Sequence, residues 1–377
     1  MKCYLIFLFT LCTVYSFTPD QSQLVPAGSN HATLNTNKLA DELEKRFKNK
    51  CIGFEFVISY KGSYSANRCW GMARQSQDAP ARSMTDNEKY NIASTSKPIT
   101  GAALIKALAA NKDLTIDSKI YKLLPSHWII DPSVRVISFR DLLTHTSGFG
   151  SSGIAYADLK DLVKKGINPN DHGKDRYENC NYALMRLLIP ALIGSPVIPV
   201  PEHASGAILE SSENMQAAQF ATFYMDYVQK KLFDATGDLP KLQCKPVANN
   251  PALCYQFPKT AAHGGDFGDH TLTCGSSGWN MSARQMSIFF RHLHFTDEIL
   301  SPSLNSVMKK SCYESGTTTK DVDYYEKEGY YPGSENPGEL NSVIVGFGNG
   351  IIITGIVNSQ CPAIEETVRD AFDAWYH

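Results

Sequence analysis

A serine and a lysine lie three positions apart, at Ser94 and Lys97, in a stretch over residues 90–104 that reads YNIASTSKPITGAAL. On an α-helix this spacing puts both side chains on one face, so the lysine amine reaches the serine hydroxyl. Pro98 supports a helix that begins here, because it lacks the N–H that would bond the carbonyl of Ser94 and is tolerated only in a first turn. Ser94 is therefore the candidate nucleophile, at a helix N-terminus that favours an alkoxide and an oxyanion.

The spacing alone does not identify a site, because Ser306 and Lys309 repeat it. His145 lies close to Ser147, but we interpret it as a residue that holds a turn. Other histidines stand in the loop around residues 263–270 and in the segment 292–294, without a recognised metal-ligand spacing. There is also no H-E-x-x-H, G-x-S-x-G, Walker A or G-x-G-x-x-G motif. The sequence therefore predicts neither a metal nor a cofactor.

Composition narrows the classes of partner. The chain has 377 residues, 43% of them hydrophobic, and a net charge of -2 without a basic run. This argues against nucleic acid or an anionic membrane as the main partner and favours a small-molecule or peptide substrate. Residues 1–16 read as a secretory signal peptide, with Lys2 before an apolar run too short to span a bilayer. We expect a secreted protein without a transmembrane anchor.

The cysteines fit an oxidising compartment. After removal of the signal peptide an even set remains, which predicts disulfides rather than a metal site. Cys51 and Cys69 flank two strand-like runs and would clamp a hairpin, whereas Cys244 and Cys254 would close a small loop. For the other four the sequence fixes no partners.

The elements that must position Ser94 follow from periodicity. Residues 17–36 are polar and form a flexible arm, 39–47 predict a helix, and 52–60 with 64–72 predict a hairpin. Helices follow at 94–110, 117–124, 139–143, within 175–193, at 216–235 and at 282–293. A second hairpin at 340–345 and 350–357 and a helix at 364–376 end the chain. Strands at both ends imply an α+β fold whose antiparallel sheet comes from both chain ends and is flanked by helices, with an inserted all-helical lobe over about 105–300.

At this point the chain resembles the serine β-lactamase and penicillin-binding protein superfamily, in the branch of class C β-lactamases, D-aminopeptidases and related esterases. The resemblance covers residues 39 to the C-terminus, and implies a β-lactamase-related catalytic domain over 37–377. It rests on ordered matches: IASTSKPITGAALI, FRDLLTHTSGF, YENCNYALMRLLIPALIG, YVQKKLFDATG and SGWNMSARQMSIFF.

The resemblance implies roles for four residues. Ser94 would be acylated, Lys97 would relay its proton, Tyr177 would act as general base and acid, and Asn179 would hydrogen-bond the substrate or Lys97. An ammonium beside a phenol would lower the pKa of the phenol, and burial would lower the pKa of the lysine. Which of Lys97 and Tyr177 takes the serine proton stays open.

The third motif of the family is a basic residue, any residue and a glycine on a strand edge. We assign it to Tyr331, Gly333 and Ser334, with the Ser334 N–H completing the oxyanion hole. A tyrosine in place of the basic residue removes an anchor for a substrate carboxylate. The sequence thus predicts a secreted serine hydrolase acting on an ester or amide with an uncharged acyl group. The alternative, favoured by Tyr331, is a catalytically silent binding or structural protein. The oligomeric state is not predicted.

Overall fold

The computed structural model describes residues 34–150, 153–259, 262–333 and 337–376. The expected signal peptide at 1–16 lies outside the described residues, as does the expected arm except for its last three residues, where the first helix begins. Residues 36–377 form one compact unit.

Helices make up the middle of the chain and cover the sheet. They are α1 (Thr36–Phe47), α2 (Lys97–Ala109), α3 (Phe139–Leu143), α4 (Tyr156–Lys165), α5 (Asn179–Leu192), α6 (Gly206–Val228), α7 (Ala283–Phe295), α8 (Pro302–Cys312) and α9 (Ile364–Trp375). The strands are β1 (Gly53–Tyr60), β2 (Ser63–Arg74), β3 (Arg82–Ser83), β4 (Tyr90–Asn91), β5 (Asn280–Met281), β6 (Glu314–Thr317), β7 (Asp323–Tyr331), β8 (Leu340–Phe347) and β9 (Ile351–Val357).

The described residues form a seven-stranded antiparallel sheet in the order β3-β2-β1-β9-β8-β7-β6. Its first three strands come from the N-terminal part of the chain and the others from the C-terminal part, so the predicted sheet from both chain ends is confirmed. Alternation along β1 explains how the sheet is covered, because successive side chains point to opposite faces. Phe56 packs on Phe47 of α1 with ring centroids 4.9 Å apart, and Ser59 hydrogen-bonds Ser287 of α7 at 2.6 Å.

Helix α2 lies at the centre of the helical part and contacts α5, α6 and α8. Nearly all of its side chains are buried, as its small and aliphatic composition predicts. The predicted helix over 216–235 is longer than expected, since α6 begins at Gly206 and a π-helical turn (Gln229–Phe233) and a 3-10 turn (Asp234–Thr236) continue it. Helices α4 and α8 and strands β6 and β7 were not predicted.

Both expected disulfide pairs are wrong. Cys244 is bonded to Cys274, and Cys51, Cys69, Cys254, Cys312 and Cys361 form no disulfide in the described structure. The register of the first hairpin explains the first error. Gly53 pairs with Gly71 and Cys69 lies opposite Glu55, so Cys51 and Cys69 are displaced from each other along the ladder. Cys254 instead lies on a bridge to Gly265.

None of the helices in the described ranges combines the length and apolar character needed to cross a bilayer.

Candidate active site

Ser94 lies in a tight turn between β4 and α2. The turn is a 3-10 helix (Ala93–Ser96) that runs directly into α2, with Pro98 in the first α-helical turn as predicted. The Asn91 side chain shapes the turn, because its Oδ1 accepts from the N–H groups of Ala93 at 3.0 Å and Gly278 at 3.2 Å. Ala93 has a φ of +46°, a strained left-handed conformation for a residue with a Cβ. Ser94 thus lies where helix N–H groups have no partner within the helix.

The amine of Lys97 lies at the centre of the site. Its Nζ is 2.9 Å from Ser94 Oγ, 2.8 Å from Asn179 Oδ1 and 2.8 Å from the carbonyl oxygen of Ser276. The side chain is 1% exposed. Burial, followed by the charge of Lys327, holds the pKa of Lys97 well below its usual range. The expected direction for the lysine is therefore confirmed.

In the neutral form that the lowered pKa favours, the proton count of Lys97 sets the direction of its hydrogen bonds. A neutral amine has two N–H groups and one lone pair. The oxygens of the Asn179 amide and the Ser276 carbonyl can only accept, so they take both N–H groups. The lone pair is left for the Ser94 hydroxyl, which is the arrangement a base needs.

Tyr177 approaches Ser94 from another side, with its hydroxyl 2.7 Å from Ser94 Oγ. The ring packs against His145 at 4.5 Å between centroids, and the Nζ atoms of Lys97 and Lys327 lie 4.8 and 4.7 Å from the ring centroid. Desolvation nevertheless raises the pKa of Tyr177 to about 12, against the opposing effect of its bond to Ser94. The expected lowering of this pKa is wrong, because desolvation of the hydroxyl, reinforced by the carboxylates of Glu328 and Glu314, outweighs the bond to Ser94.

His145 holds the segment that carries Tyr177 and Asn179. Its Nδ1 accepts from the N–H of Glu178 at 3.2 Å and lies 3.1 Å from the Asn181 amide nitrogen, and its carbonyl accepts from the N–H of Arg176 at 2.9 Å. Burial and the nearby lysines lower the pKa of His145 to about 3, so the ring is neutral. These contacts match the turn-holding role inferred from the sequence.

The assignment of the third motif is corrected by strand β7. Its residues 325, 327, 329 and 331 share one face, because side chains alternate along a strand. Lys327 on this face lies beside Tyr177, and Gly329 lies against the nucleophile turn. A Cβ on Gly329 would lie 2.5 Å from the carbonyl oxygen of Ile92 and 2.8 Å from Thr95 Oγ1, so only glycine fits there. Lys327, Glu328 and Gly329 thus fit the pattern of a basic residue, any residue and a glycine on a strand edge.

Of the residues first assigned to that motif, Tyr331 lies on the same face of β7, beyond Gly329. The Tyr331 ring stacks on Phe267 at 4.3 Å, and its hydroxyl accepts from the Asn91 amide at 3.5 Å. A Cβ on Gly333 would meet Glu339 and Gln360 rather than the nucleophile turn. Ser334 lies outside the described residues. The tripeptide KEG satisfies the motif as we defined it from the family, so the sequence did contain the signal.

The segment after Cys274 forms another wall of the site. The carbonyl of Gly275 accepts from Thr100 of α2 at 2.6 Å, and the N–H of Trp279 donates to Ser96 at 3.3 Å. The disulfide to Cys244 fixes the beginning of this segment. It thereby holds the Ser276 carbonyl that accepts from Lys97.

The histidines outside the site have other partners. His263 pairs with Asp78 at 2.8 Å, and His292 with Glu298. His294 lies between Asn305 and Tyr313 at 2.9 Å from each. Within the described ranges, no group of three or more His, Cys, Asp or Glu side chains could hold a metal ion.

A cavity of about 440 Å³ opens beside the site. Lys97, Tyr177 and Lys327 line it, together with the end of α8 and the beginning of β6. It is large enough to hold part of a small substrate beside Lys97 and Tyr177.

Comparison with known proteins adds a family and a fold. The family model described as Beta-lactamase matches residues 38–311, which excludes β6 to β9 and so Lys327. No curated protein sequence matches the chain.

Solved structures with the same fold include enzymes that cleave amides and lactams. D-amino acid amidase from Ochrobactrum anthropi SV3, complexed with L-phenylalanine amide, aligns with a TM-score of 0.66 at 15% identity, over 90% of this chain and 98% of that one. Class C β-lactamase from Rhodobacter sphaeroides gives 0.61 at 16% identity over 90% and 99%, and FmtA from Staphylococcus aureus gives 0.64 at 15% over 94% and 91%. At these identities the matches establish the fold.

Proposed function

Since this chain belongs to the β-lactamase family, we propose that it is a secreted serine hydrolase that cleaves an ester or amide through an acyl-enzyme. The observation that carries the proposal is the set of three contacts made by the buried Lys97 amine, which leaves its lone pair to the Ser94 hydroxyl. A serine with a neutral amine as its base is an activated nucleophile.

Acylation follows from this arrangement. Lys97 takes the hydroxyl proton as Ser94 Oγ attacks the substrate carbonyl carbon. The N–H of Ser94 and the edge of β7 beside Gly329 stabilise the oxyanion. Tyr177, protonated at neutral pH because its pKa is raised to about 12, gives its proton to the leaving group. The proton on Lys97 then restores the phenol.

Deacylation uses the same groups with water in place of the leaving group. The water loses a proton to Lys97 and Tyr177 as it attacks the acyl carbonyl. Ser94 regains a proton as the carboxylic acid leaves. Every proton taken is returned within one turnover.

We also propose that the acyl group is uncharged, but on a new basis. The sequence suggested an uncharged acyl group because Tyr331 stood in place of a cation. Lys327 supplies a cation at the site. Its ammonium is paired with Glu314 at 3.0 Å, however, so the cation is occupied. We expect the protein to turn over p-nitrophenyl esters of neutral acids better than nitrocefin, and efficient turnover of nitrocefin alone would contradict this.

With Lys327 as the basic residue of the third motif, the catalytically silent alternative loses the feature that favoured it. A fluorophosphonate probe tests what remains of it. We expect labelling of the folded wild type that disappears in Ser94→Ala, with an intact-mass increase equal to one adduct. Absence of labelling from folded wild type would contradict the proposed function.

Secretion is supported by the disulfide between Cys244 and Cys274, since such bonds persist in oxidising compartments. Expression of the full chain in a eukaryotic host tests it. N-terminal sequencing of protein from the medium should start close to residue 17.

A further inference from the structure

The ammonium of Lys327 already has a carboxylate partner. Its side chain is 8% exposed, and its Nζ lies 3.0 Å from Oε1 of Glu314, whose side chain is 69% exposed. Glu314 is the first residue of β6 and pairs with Glu326 of β7. Lys327 is thus the first residue of β7 beyond the end of β6, where the edge of β7 becomes free to face a substrate.

The cavity beside Tyr177 contains charges of both signs. Lys310 and Lys327 line it together with Asp175 and Glu314. Lys97 also lines it, with a pKa lowered by burial, and the other charged residues of its wall are two lysines and two carboxylates. A substrate carboxylate entering near Lys327 would approach Glu314 as well, and like charges at such a distance repel.

We propose that Glu314 is a specificity-determining residue that keeps the Lys327 ammonium occupied and excludes substrates that carry a carboxylate within a few bonds of the scissile bond. The proposal rests on the proposed hydrolase function. An anionic substrate has to break the pair between Glu314 and Lys327 before it gains the cation. A neutral substrate leaves the pair intact and binds beside it.

The test compares two esters that differ in one group. p-Nitrophenyl valerate ends in a methyl group, and the p-nitrophenyl monoester of glutaric acid carries a carboxylate in its place. The readout is the ratio of kcat/KM for the anionic over the neutral ester, after subtraction of the rate with Ser94→Ala. In Glu314→Gln we expect this ratio to rise about tenfold, because the amide keeps the shape and removes the competing charge. Moving the carboxylate to the leaving group, with 3-acetoxybenzoate and 3-acetoxybenzamide, tests the other side of the scissile bond.

Asp323→Asn is the matched control. Asp323 stands at the other end of the same ladder, paired with Thr317, and does not line the cavity. It removes the same charge from the protein, and we expect the ratio to stay unchanged. An unchanged ratio in Glu314→Gln for both ester pairs, with turnover of the neutral esters retained, would overturn the proposal.

Binding distinguishes this failure from a failure of the proposed function. If no ester shows turnover that depends on Ser94, the hydrolase proposal fails. The role of Glu314 is then tested by measuring ligand binding with calorimetry. In a Ser94→Ala background, adding Glu314→Gln should lower the Kd of glutaric acid monoanilide about tenfold and leave that of valeric anilide unchanged. Equal affinities for the monoanilide with and without Glu314 would refute the role given to this residue.

Discussion

Replacing Asn179 by Asp tests the base assigned to Lys97 with almost no change in shape. Asn179 is the first residue of α5, and its Oδ1 accepts from Lys97 at 2.8 Å. A carboxylate is favourable at a helix N-terminus, so the variant should fold. It puts a negative charge beside an amine that works only when it is neutral.

The size of the effect follows from the distance. At an effective dielectric constant of about 20, opposite unit charges about 3 Å apart attract by roughly 5 kcal/mol. Part of this is lost to desolvation of the new carboxylate, which leaves about 3 kcal/mol in favour of the ammonium. Since each pH unit corresponds to about 1.4 kcal/mol, the acid limb of the kcat/KM profile should move up by about two pH units. The sign is fixed, because stabilising the ammonium means that a higher pH is needed to free the base.

The assay is the pH dependence of p-nitrophenyl ester hydrolysis, with Asn179→Ala as the control. The alanine removes the acceptor without adding charge, so we expect a lower rate with no upward shift of the acid limb. At pH values below both acid limbs the Asp variant should be about 100-fold slower than wild type, and the difference should disappear at high pH. If the acid limb of the kcat/KM profile lies at the same pH in Asn179→Asp and Asn179→Ala, Lys97 is not the base.

Two further variants test how the site is held together. Replacing Cys244 and Cys274 by serine opens a loop with a sequence separation of 30. We expect the free energy of unfolding in urea to fall by about 3–4 kcal/mol. We also expect lower activity, because the Ser276 carbonyl is held less firmly. Gly329→Ala should lower kcat at least tenfold and reduce the Tm, since the added methyl group meets the Ile92 carbonyl; unchanged activity would contradict the close packing of β7 on the nucleophile turn.

The local motifs could be predicted from the sequence because each is complete within a few residues. The spacing of Ser94, Lys97 and Pro98 specifies a helix start and a face, and the structure has both. What the spacing could not give is the approach of Tyr177 to 2.7 Å from Ser94, which depends on the His145 turn. That contact joins distant parts of the chain, and only the family resemblance indicated it.

Strand β7 was missed because its pattern is not that of a buried strand. The face that packs on the nucleophile turn includes Lys327 and Gly329, and both residue types are uncommon in strands. The opposite face carries Glu326 and Glu328, so hydrophobic alternation is absent. Functional positions often violate strand propensity and alternation. Here Lys327 faces the site, and Gly329 allows β7 to approach the nucleophile turn closely.

The first assignment of the third motif implied that the site has no cation for a substrate carboxylate. With Lys327 in that motif, selectivity against a carboxylate depends instead on Glu314. A missing cation would leave the site unable to hold a carboxylate whatever its surroundings. A cation paired with Glu314 is held back only by a side chain that is 69% exposed. Ser94 and Lys97 are fixed by a buried helix, whereas Glu314 lies on a short strand at the edge of the sheet. Selectivity can therefore change through one surface substitution while the chemistry and the core stay as they are.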